Sequence, residues 1–128
     1  MNPWTRDELE KLEAADEIGI AAVRRDGSAP KSVPIWIVRL GEELYIRSAY
    51  GKRSAWFRGA QAGHQARITV GAIAIDVLFE VADPKLNDEI DGAYRSKYRR
   101  HPATYVNMMI SPEARSTTIR LSPRPLSS

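Results

Sequence analysis

The sequence contains no cysteine among its 128 residues. Disulfide bridges, thiolate metal sites and cysteine nucleophiles are therefore excluded, and a reducing cytoplasm is compatible with the chain. Histidine is almost as scarce, since His64 and His101 are the only two. No Asp or Glu stands near them at the spacing of a two-ligand metal motif, so we expect no metal site.

Long hydrophobic runs are also missing. The longest, VGAIAIDVLF, is interrupted by Asp76 and is far too short to span a bilayer. The amino-terminal stretch MNPWTRDELEKLE carries acids where a signal peptide needs an apolar core. We therefore expect a cytoplasmic protein with no membrane partner.

Charge of one sign does not dominate the chain, whose net charge is +3 with a pI near 9.4. The arginines are scattered, without an RGG tract, an aromatic RNA-binding signature or zinc-finger spacing, so we expect no nucleic-acid partner. No serine stands in a nucleophile elbow and no Ser/His/Asp set is suggested. The mild basic excess could favour an anionic ligand. The sequence identifies no catalytic residue, so the catalytic residues are unknown.

The composition is that of a soluble globular protein, with 43% hydrophobic and 27% charged residues. A chain of this length is long enough to bury most of its apolar surface around one core. Neither a linker nor an internal repeat divides it. We predict a single domain over residues 1–128.

The chain opens with a helix signal. Thr5 and Glu8 stand three residues apart as a capping box, and Trp4 and Leu9 are placed to form a hydrophobic staple. These features predict a short helix over residues 5–15.

Period-two hydrophobic patterns and turn residues predict strands over residues 17–25, 29–40, 44–48, 65–70, 73–82 and 117–121. The Asp26-Gly27 pair suits a tight hairpin, and Pro34 places its strand at an edge or beside a bulge. Helical patterns cover residues 52–60 and 83–99. The prediction is a mainly β, α+β fold, a six-stranded antiparallel barrel with flanking helices on its open side.

The longest predicted strand, residues 73–82, alternates clearly. Its apolar residues share one face and form a core wall, while Asp76 lies opposite. The sequence leaves two roles open for Asp76, which is either solvated or paired with Arg67 across the hairpin.

The stretch RSAYGKRSAWFRG, residues 47–59, brings Lys52, Arg53 and Ser54 together at a predicted helix start. A helix N-terminus supplies oriented N–H groups and a partial positive potential, so these side chains could complete a phosphate site. The alternative is a polar helix start that simply faces water. The residues alone do not decide between the two.

Residues 17–82 contain a pattern that resembles a known superfamily. The residues that carry it are Asp26, Gly27, Pro30, Pro34, Trp36, Gly41, Leu44, Tyr45, Ser48 and Lys52. This pattern resembles the flavin-binding split-barrel superfamily, which includes pyridoxamine-phosphate oxidases and deazaflavin-dependent reductases. The later segments AYRSKY and SPEARSTTIRL resemble a narrower bacterial group, domain of unknown function 2255.

The resemblance implies a homodimer with FMN or a deazaflavin (factor 420) in a groove at the subunit interface. Its phosphate would be held by Ser48 and Lys52, with Arg53 and Ser54 as additions. Aromatic rings could complete such a site by stacking. Trp36 could stack on the flavin or belong to the core, and Tyr50 could orient a substrate at the rim or be an exposed loop residue.

The sequence also departs from the superfamily. Lys31-Ser32-Val33 stands where FMN-binding members carry an arginine followed by β-branched residues, and Ala62-Gly63-His64 replaces the usual Asn-Pro. Three functions therefore stay open. The protein is a flavin- or deazaflavin-dependent oxidoreductase reducing a small planar acceptor, a non-catalytic binding module for flavin, haem or another planar ligand, or a split barrel with an empty groove.

Overall fold

The computed structural model describes residues 3–124, which form seven strands and five α-helices. The strands are β1 Ile18–Ala22, β2 Val33–Ile35, β3 Ile37–Leu40, β4 Glu43–Ile46, β5 Gln65–Val70, β6 Ile73–Val81 and β7 Ile119–Pro123. The helices are α1 Arg6–Ala14, α2 Ala55–Gly63, α3 Asn87–Lys97, α4 Ala103–Met109 and α5 Pro112–Arg115.

The strands form one antiparallel sheet in the order β2-β1-β5-β6-β7-β4-β3. Its two end strands, β2 and β3, are consecutive segments of the chain on either side of Trp36. The sheet therefore curls into a nearly closed barrel whose two ends meet at this residue. The predicted antiparallel barrel is confirmed, but the count of six strands was wrong because the return arm is broken in two at Trp36.

Pro34 lies where its chemistry allows. It stands in β2, which pairs only with β1, with Pro34 opposite Gly19. Proline has no N–H to donate, so an end strand tolerates it, as predicted. The predicted tight turn at Asp26-Gly27 is confirmed, because the Gly27 amide donates to the Arg24 carbonyl at 2.9 Å and the Arg24 amide to the Ser28 carbonyl at 2.8 Å, with a φ of +85° at Gly27. The two strands are shorter than the predicted arms, since residues 23–32 separate β1 from β2.

The capping box of α1 is confirmed. The Glu8 amide donates to the Thr5 hydroxyl at 3.1 Å, and the Glu8 carboxylate accepts from the Thr5 amide at 2.9 Å. Trp4 and Leu9 on either side are both buried, and the Trp4 indole N–H donates to the Leu121 carbonyl at 2.9 Å. The local signal thus anchors α1 to β7 at the other end of the chain.

Two apolar clusters meet at β3 and β4 because successive side chains of a strand point to opposite faces. Ile37, Leu44 and Ile46 belong to the barrel interior, together with residues of α1 and α2. Val38 and Tyr45 belong to a second cluster outside the barrel, which α3 and α4 complete. These helices hold Ile90, Tyr94, Tyr98, Val106 and Met109 against the outer face.

The remaining helices differ from the prediction at their ends. Residues Gly51–Arg53 form a 3-10 turn, and α2 begins only at Ala55 rather than at residue 52. Asp83 and Pro84 start a 3-10 turn that leads into α3, close to where the pattern placed a helix. Helices α4 and α5 were not predicted.

Strand β6 confirms the pairing hypothesis for Asp76. This residue lies opposite Arg67 of β5, and the Arg67 Nε atom donates to its carboxylate at 2.6 Å. On the other face Val77 and Phe79 are buried, but Ile73 and Val81 at the ends of the strand are exposed. The predicted core wall is therefore formed by the middle of the strand.

Candidate functional site

A groove of about 760 Å³ opens on the barrel beside the β2–β3 junction. Its walls come from that junction, the loop after β4, the start of α2, and α4. The lining residues are Glu17, Val33, Pro34, Ile35, Trp36, Arg47, Ala49, Tyr50, Ser54, Ala55, Trp56, His101, Tyr105, Met108 and Met109. Most of these are apolar or aromatic, and a few polar groups converge among them, as in small-molecule sites.

The indole of Trp36 is held in place by stacking. It lies parallel to the Tyr98 ring, with ring centroids 3.9 Å apart and an angle of 2° between the planes. The His101 ring packs against the same indole, with ring centroids 4.8 Å apart. The Tyr98 hydroxyl in turn accepts from the Ile37 amide at 3.0 Å and donates to the Ile37 carbonyl at 3.1 Å. Burial raises the pKa of Tyr98, so this anchor stays protonated.

Two other aromatic residues line the groove differently. Tyr50 is 61% exposed and stands at the rim. Trp56 is half-buried and packs edge-on against two phenylalanine rings. The centroid distance is 5.9 Å to Phe57 and 6.4 Å to Phe79. Trp56 is thus shared between the groove and the barrel core, whereas Tyr50 makes no such packing contact among the described residues.

The N-terminus of α2 reaches the groove at Ser54 and Ala55. The Ser54 hydroxyl does not cap the helix, because it pairs with the Ser48 hydroxyl at 2.9 Å instead. Within residues 3–124 the amides of Ala55, Trp56 and Phe57 have no acceptor. Three N–H groups at the start of α2 are therefore without a protein acceptor among these residues, and those of Ala55 and Trp56 belong to residues that line the groove.

Ser48 lies behind this helix start and does not line the groove. It is 1% exposed, and its amide donates to the Thr117 hydroxyl at 2.9 Å. Its side chain reaches Ser54, whose orientation it fixes. Ser54, rather than Ser48, therefore lines the groove.

Lys52 and Arg53 lie on the 3-10 turn beside the groove, and both are exposed. Lys52 makes no hydrogen bond or ion pair with any residue that the structure describes. Arg53 is paired with Glu113 of α5, with 3.0 Å between Nη2 and Oε1. The turn fits tightly under Glu113, since Gly51 has a φ of +68° and a Cβ there would lie 2.4 Å from the Glu113 Cγ atom.

The groove thus brings together three of the six side chains singled out from the sequence, namely Trp36, Tyr50 and Ser54. Ser48 supports Ser54 from behind. Lys52 and Arg53 stand on the adjoining turn, close in sequence to the uncapped amides but outside the groove lining.

Arg47 also lines the groove, although the sequence did not single it out. Its guanidinium is buried and all five N–H groups have acceptors. Nε donates to Thr118 at 2.9 Å, Nη1 to the Asp91 carboxylate and the Met109 carbonyl, and Nη2 to the carbonyl and side chain of Asn87. A fully partnered arginine joins elements of the fold and has no donor left for a ligand.

The described residues contain neither a metal-binding cluster nor a membrane-spanning helix. Within residues 3–124 no three histidine or acidic side chains gather closely enough to hold a metal ion. The same part of the chain contains no helix with the length and apolar character needed to cross a membrane.

Several solved structures share this fold. An F420 reductase is 19% identical, with a TM-score of 0.55 and coverage of 92% of each chain. The FAD and haem binding protein from Mycobacterium smegmatis is 21% identical, with a TM-score of 0.58 over 91% of this chain and 64% of that one. The haem storage protein from Vibrio cholerae is 10% identical, with a TM-score of 0.56 over 100% of this chain and 93% of that one.

These likenesses confirm the split-barrel fold that the sequence resemblance implied. No curated protein is significantly similar in sequence to this chain. A family model does match, over residues 8–121, and this range covers most of the 128 residues. The chain therefore belongs to the family described as "Uncharacterized protein conserved in bacteria (DUF2255)".

Proposed function

We propose that the groove binds FMN or a deazaflavin at the interface of a homodimer, and that the protein uses it to reduce a small planar acceptor. The observation that carries this proposal is the junction of two features in one groove. An apolar wall with a stacked indole, Trp36, and the uncapped N-terminus of α2 at Ser54 both line it.

The polar end of the groove suits a phosphate. The three free amides of α2 and the partial positive charge of its N-terminus favour an anion there. Lys52 is free to add a charge-assisted hydrogen bond, and the Ser54 hydroxyl can donate as well. The phosphate arm of a flavin cofactor is thus matched by donors from one short stretch of chain.

The apolar end of the groove suits a flat ring. Trp36 is rigid because Tyr98 and His101 hold it, so a ligand that stacks on it does not have to order it first. Tyr50 at the rim can close over the ring or orient an acceptor. A bound flavin would supply the hydride chemistry, and the protein would position it and exclude water.

Exposed aromatic groups at the groove support the homodimer. Tyr50 and Tyr105 line it and are 61% and 56% exposed. Val81, elsewhere on the surface, is 72% exposed. A second copy packed over the groove would cover apolar surface that water contacts in the monomer.

The test is to titrate purified protein with FMN, with factor 420 and with haem, and to record visible absorbance and the mass in solution by light scattering. We expect saturable flavin or deazaflavin binding by a dimer. A Soret band would instead favour the haem-binding alternative, for which His101 in the groove wall offers an axial ligand. A colourless monomer that binds none of the three would support the empty-groove alternative.

Glu113 should limit the affinity of the site because its carboxylate occupies Arg53. The near-isosteric change Glu113→Gln removes that charge and frees Arg53 for a phosphate. We expect FMN or deazaflavin to bind about two- to fivefold more tightly, the effect typical of one exposed ion pair.

The matched control is Asp88→Asn, which removes an equal charge from another exposed arginine pair, Asp88–Arg115 at 2.8 Å. It should leave the affinity unchanged, and riboflavin, which has no phosphate, should respond to neither variant. An equal gain with both variants would show that net charge, and not Arg53, sets the affinity.

A further inference from the structure

A second cavity, of about 510 Å³, lies apart from the groove and shares only His101 with it. It is formed by the end of α1, strand β3 and the end of α3. Its wall is dominated by charged side chains, including Glu13, Asp16, Arg39, Lys97, Arg99 and Arg100. The proposed flavin site uses none of these residues.

Lys97 is the half-buried amine of this cavity. Its Nζ atom donates to two backbone carbonyls, that of Ile37 at 2.6 Å and that of Leu12 at 3.3 Å. Within the described residues no carboxylate lies within ion-pair distance of it. Two acceptors satisfy both N–H groups of a neutral amine. Among the described residues the third N–H of an ammonium has no hydrogen-bond acceptor, and its one further contact is with the Tyr98 ring, whose centroid lies 5.1 Å from Nζ.

This environment favours the neutral form. Burial lowers the pKa of Lys97 to about 8, against the opposing influence of Asp16 and Glu13, which favour the charged form. At about pH 7.5 roughly a quarter of the Lys97 side chains would then be neutral amines, compared with about 0.1% for an ordinary lysine. The neutral amine keeps both hydrogen bonds and gains a free lone pair.

The basic residues of the cavity are only partly paired with carboxylates. Arg39 is paired with Glu13 at 3.3 Å, and His101 with Asp16 at 2.9 Å. In the described part of the chain, Arg99 and Arg100 form no ion pair and both are exposed. Two guanidinium groups are thus left to attract an anion to the cavity that contains Lys97.

We propose that Lys97 is a nucleophilic amine that forms an imine with a small aldehyde or ketone bearing a carboxylate. The amine nitrogen attacks the carbonyl carbon, and the carbonyl oxygen leaves as water with the two amine hydrogens. When the imine is protonated it has one N–H, which can keep the bond to the Ile37 carbonyl. Arg99 and Arg100 hold the carboxylate.

The proposal is tested with glyoxylate and sodium cyanoborohydride, which reduces an imine to a stable carboxymethyl adduct. Intact-mass measurement counts the adducts, and peptide mapping at successive times gives the rate at each of Lys11, Lys31, Lys52, Lys85 and Lys97 and separates them from the N-terminal amine, whose pKa is ordinarily about 8. We expect Lys97 to react at least about tenfold faster than Lys11 near neutral pH, because its neutral fraction is far larger. The ratio of the Lys97 rate to the Lys11 rate should fall above about pH 8, because only the neutral fraction of Lys11 still increases there.

Two variants separate reactivity from folding. Lys97→Arg keeps a donor for the Ile37 carbonyl and should abolish the fast adduct while circular dichroism is unchanged. Arg99→Ser combined with Arg100→Ser should slow the reaction with glyoxylate but not with acetaldehyde, which carries no charge. Labelling of Lys97 no faster than that of Lys11, or the same slowing with both aldehydes, would overturn the proposal.

Discussion

Replacing Arg47 by methionine is expected to lower the free energy of unfolding by about 3–5 kcal/mol, the loss typical when one partner of a buried ion pair is removed. The guanidinium is 1% exposed and its partner Asp91 is 6% exposed. Without Arg47 the Asp91 carboxylate would stay buried, and the carbonyls of Asn87 and Met109 would lose their donor. Among the described residues, Arg115, whose Nε atom lies 3.6 Å from the Asp91 carboxylate, offers partial compensation.

Denaturant unfolding at one fixed protein concentration measures this loss, since a dimer or a bound ligand would otherwise shift the midpoint. The control is Arg120→Met, which breaks a partly exposed pair with Glu80 at 2.8 Å and should cost less than about 1 kcal/mol. Adding Asp91→Leu to Arg47→Met removes the stranded charge and should restore part of the stability. If Arg47→Met costs no more than Arg120→Met, the buried network does not hold the helical layer to the barrel.

Replacing Lys52 by alanine is expected to weaken FMN or deazaflavin binding about 10- to 150-fold, which corresponds to a charge-assisted contact of roughly 1.5–3 kcal/mol. Lys52 is exposed and has no protein partner among the described residues, so its loss should hardly change the free energy of unfolding. The lost contact is with the phosphate of the cofactor. Riboflavin has no phosphate, so its affinity should stay the same. Fluorescence titration of parent and variant with each ligand measures both quantities.

Lys11→Ala is the matched control, because it removes the same charge from an exposed residue of α1 that pairs with Asp7 at 3.0 Å. It should leave every titration curve in place, apart from a small effect that added salt screens. Equal weakening by the two variants would reduce the site to general basic charge. No weakening by Lys52→Ala would favour the solvated-turn interpretation of residues 47–59.

The sequence by itself determined the features that depend on a few neighbouring residues. The Thr5–Glu8 capping box and the turn at Gly27 formed because their hydrogen bonds and backbone angles are local. The alternation in β6 predicted its buried middle. For Asp76 the sequence offered two roles, and the register of β5 and β6 selected the pair with Arg67. The antiparallel barrel was also predicted from the order of helix and strand patterns, and the family resemblance then specified the split-barrel type.

Helix α4 shows why other features escaped prediction. The segment Ala103–Met109 is seven residues long, contains β-branched and aromatic residues, and has only Pro102 at its start, so its own propensity for helix is weak. It is helical because Val106 and Met109 pack on the outer cluster of the barrel. That packing partner is supplied by distant strands and leaves no local pattern.

The site depended most on tertiary structure. Trp36 became a wall of the groove because the sheet closes at this residue and Tyr98, far along the chain, stacks on it. In the sequence Arg47 is one of the scattered arginines and Lys97 is one residue of a helical pattern. Burial nevertheless gave Arg47 five acceptor atoms on four residues and lowered the pKa of Lys97. Sequence patterns record which face of an element is apolar, whereas desolvation and pairing of charges arise only when remote elements enclose them.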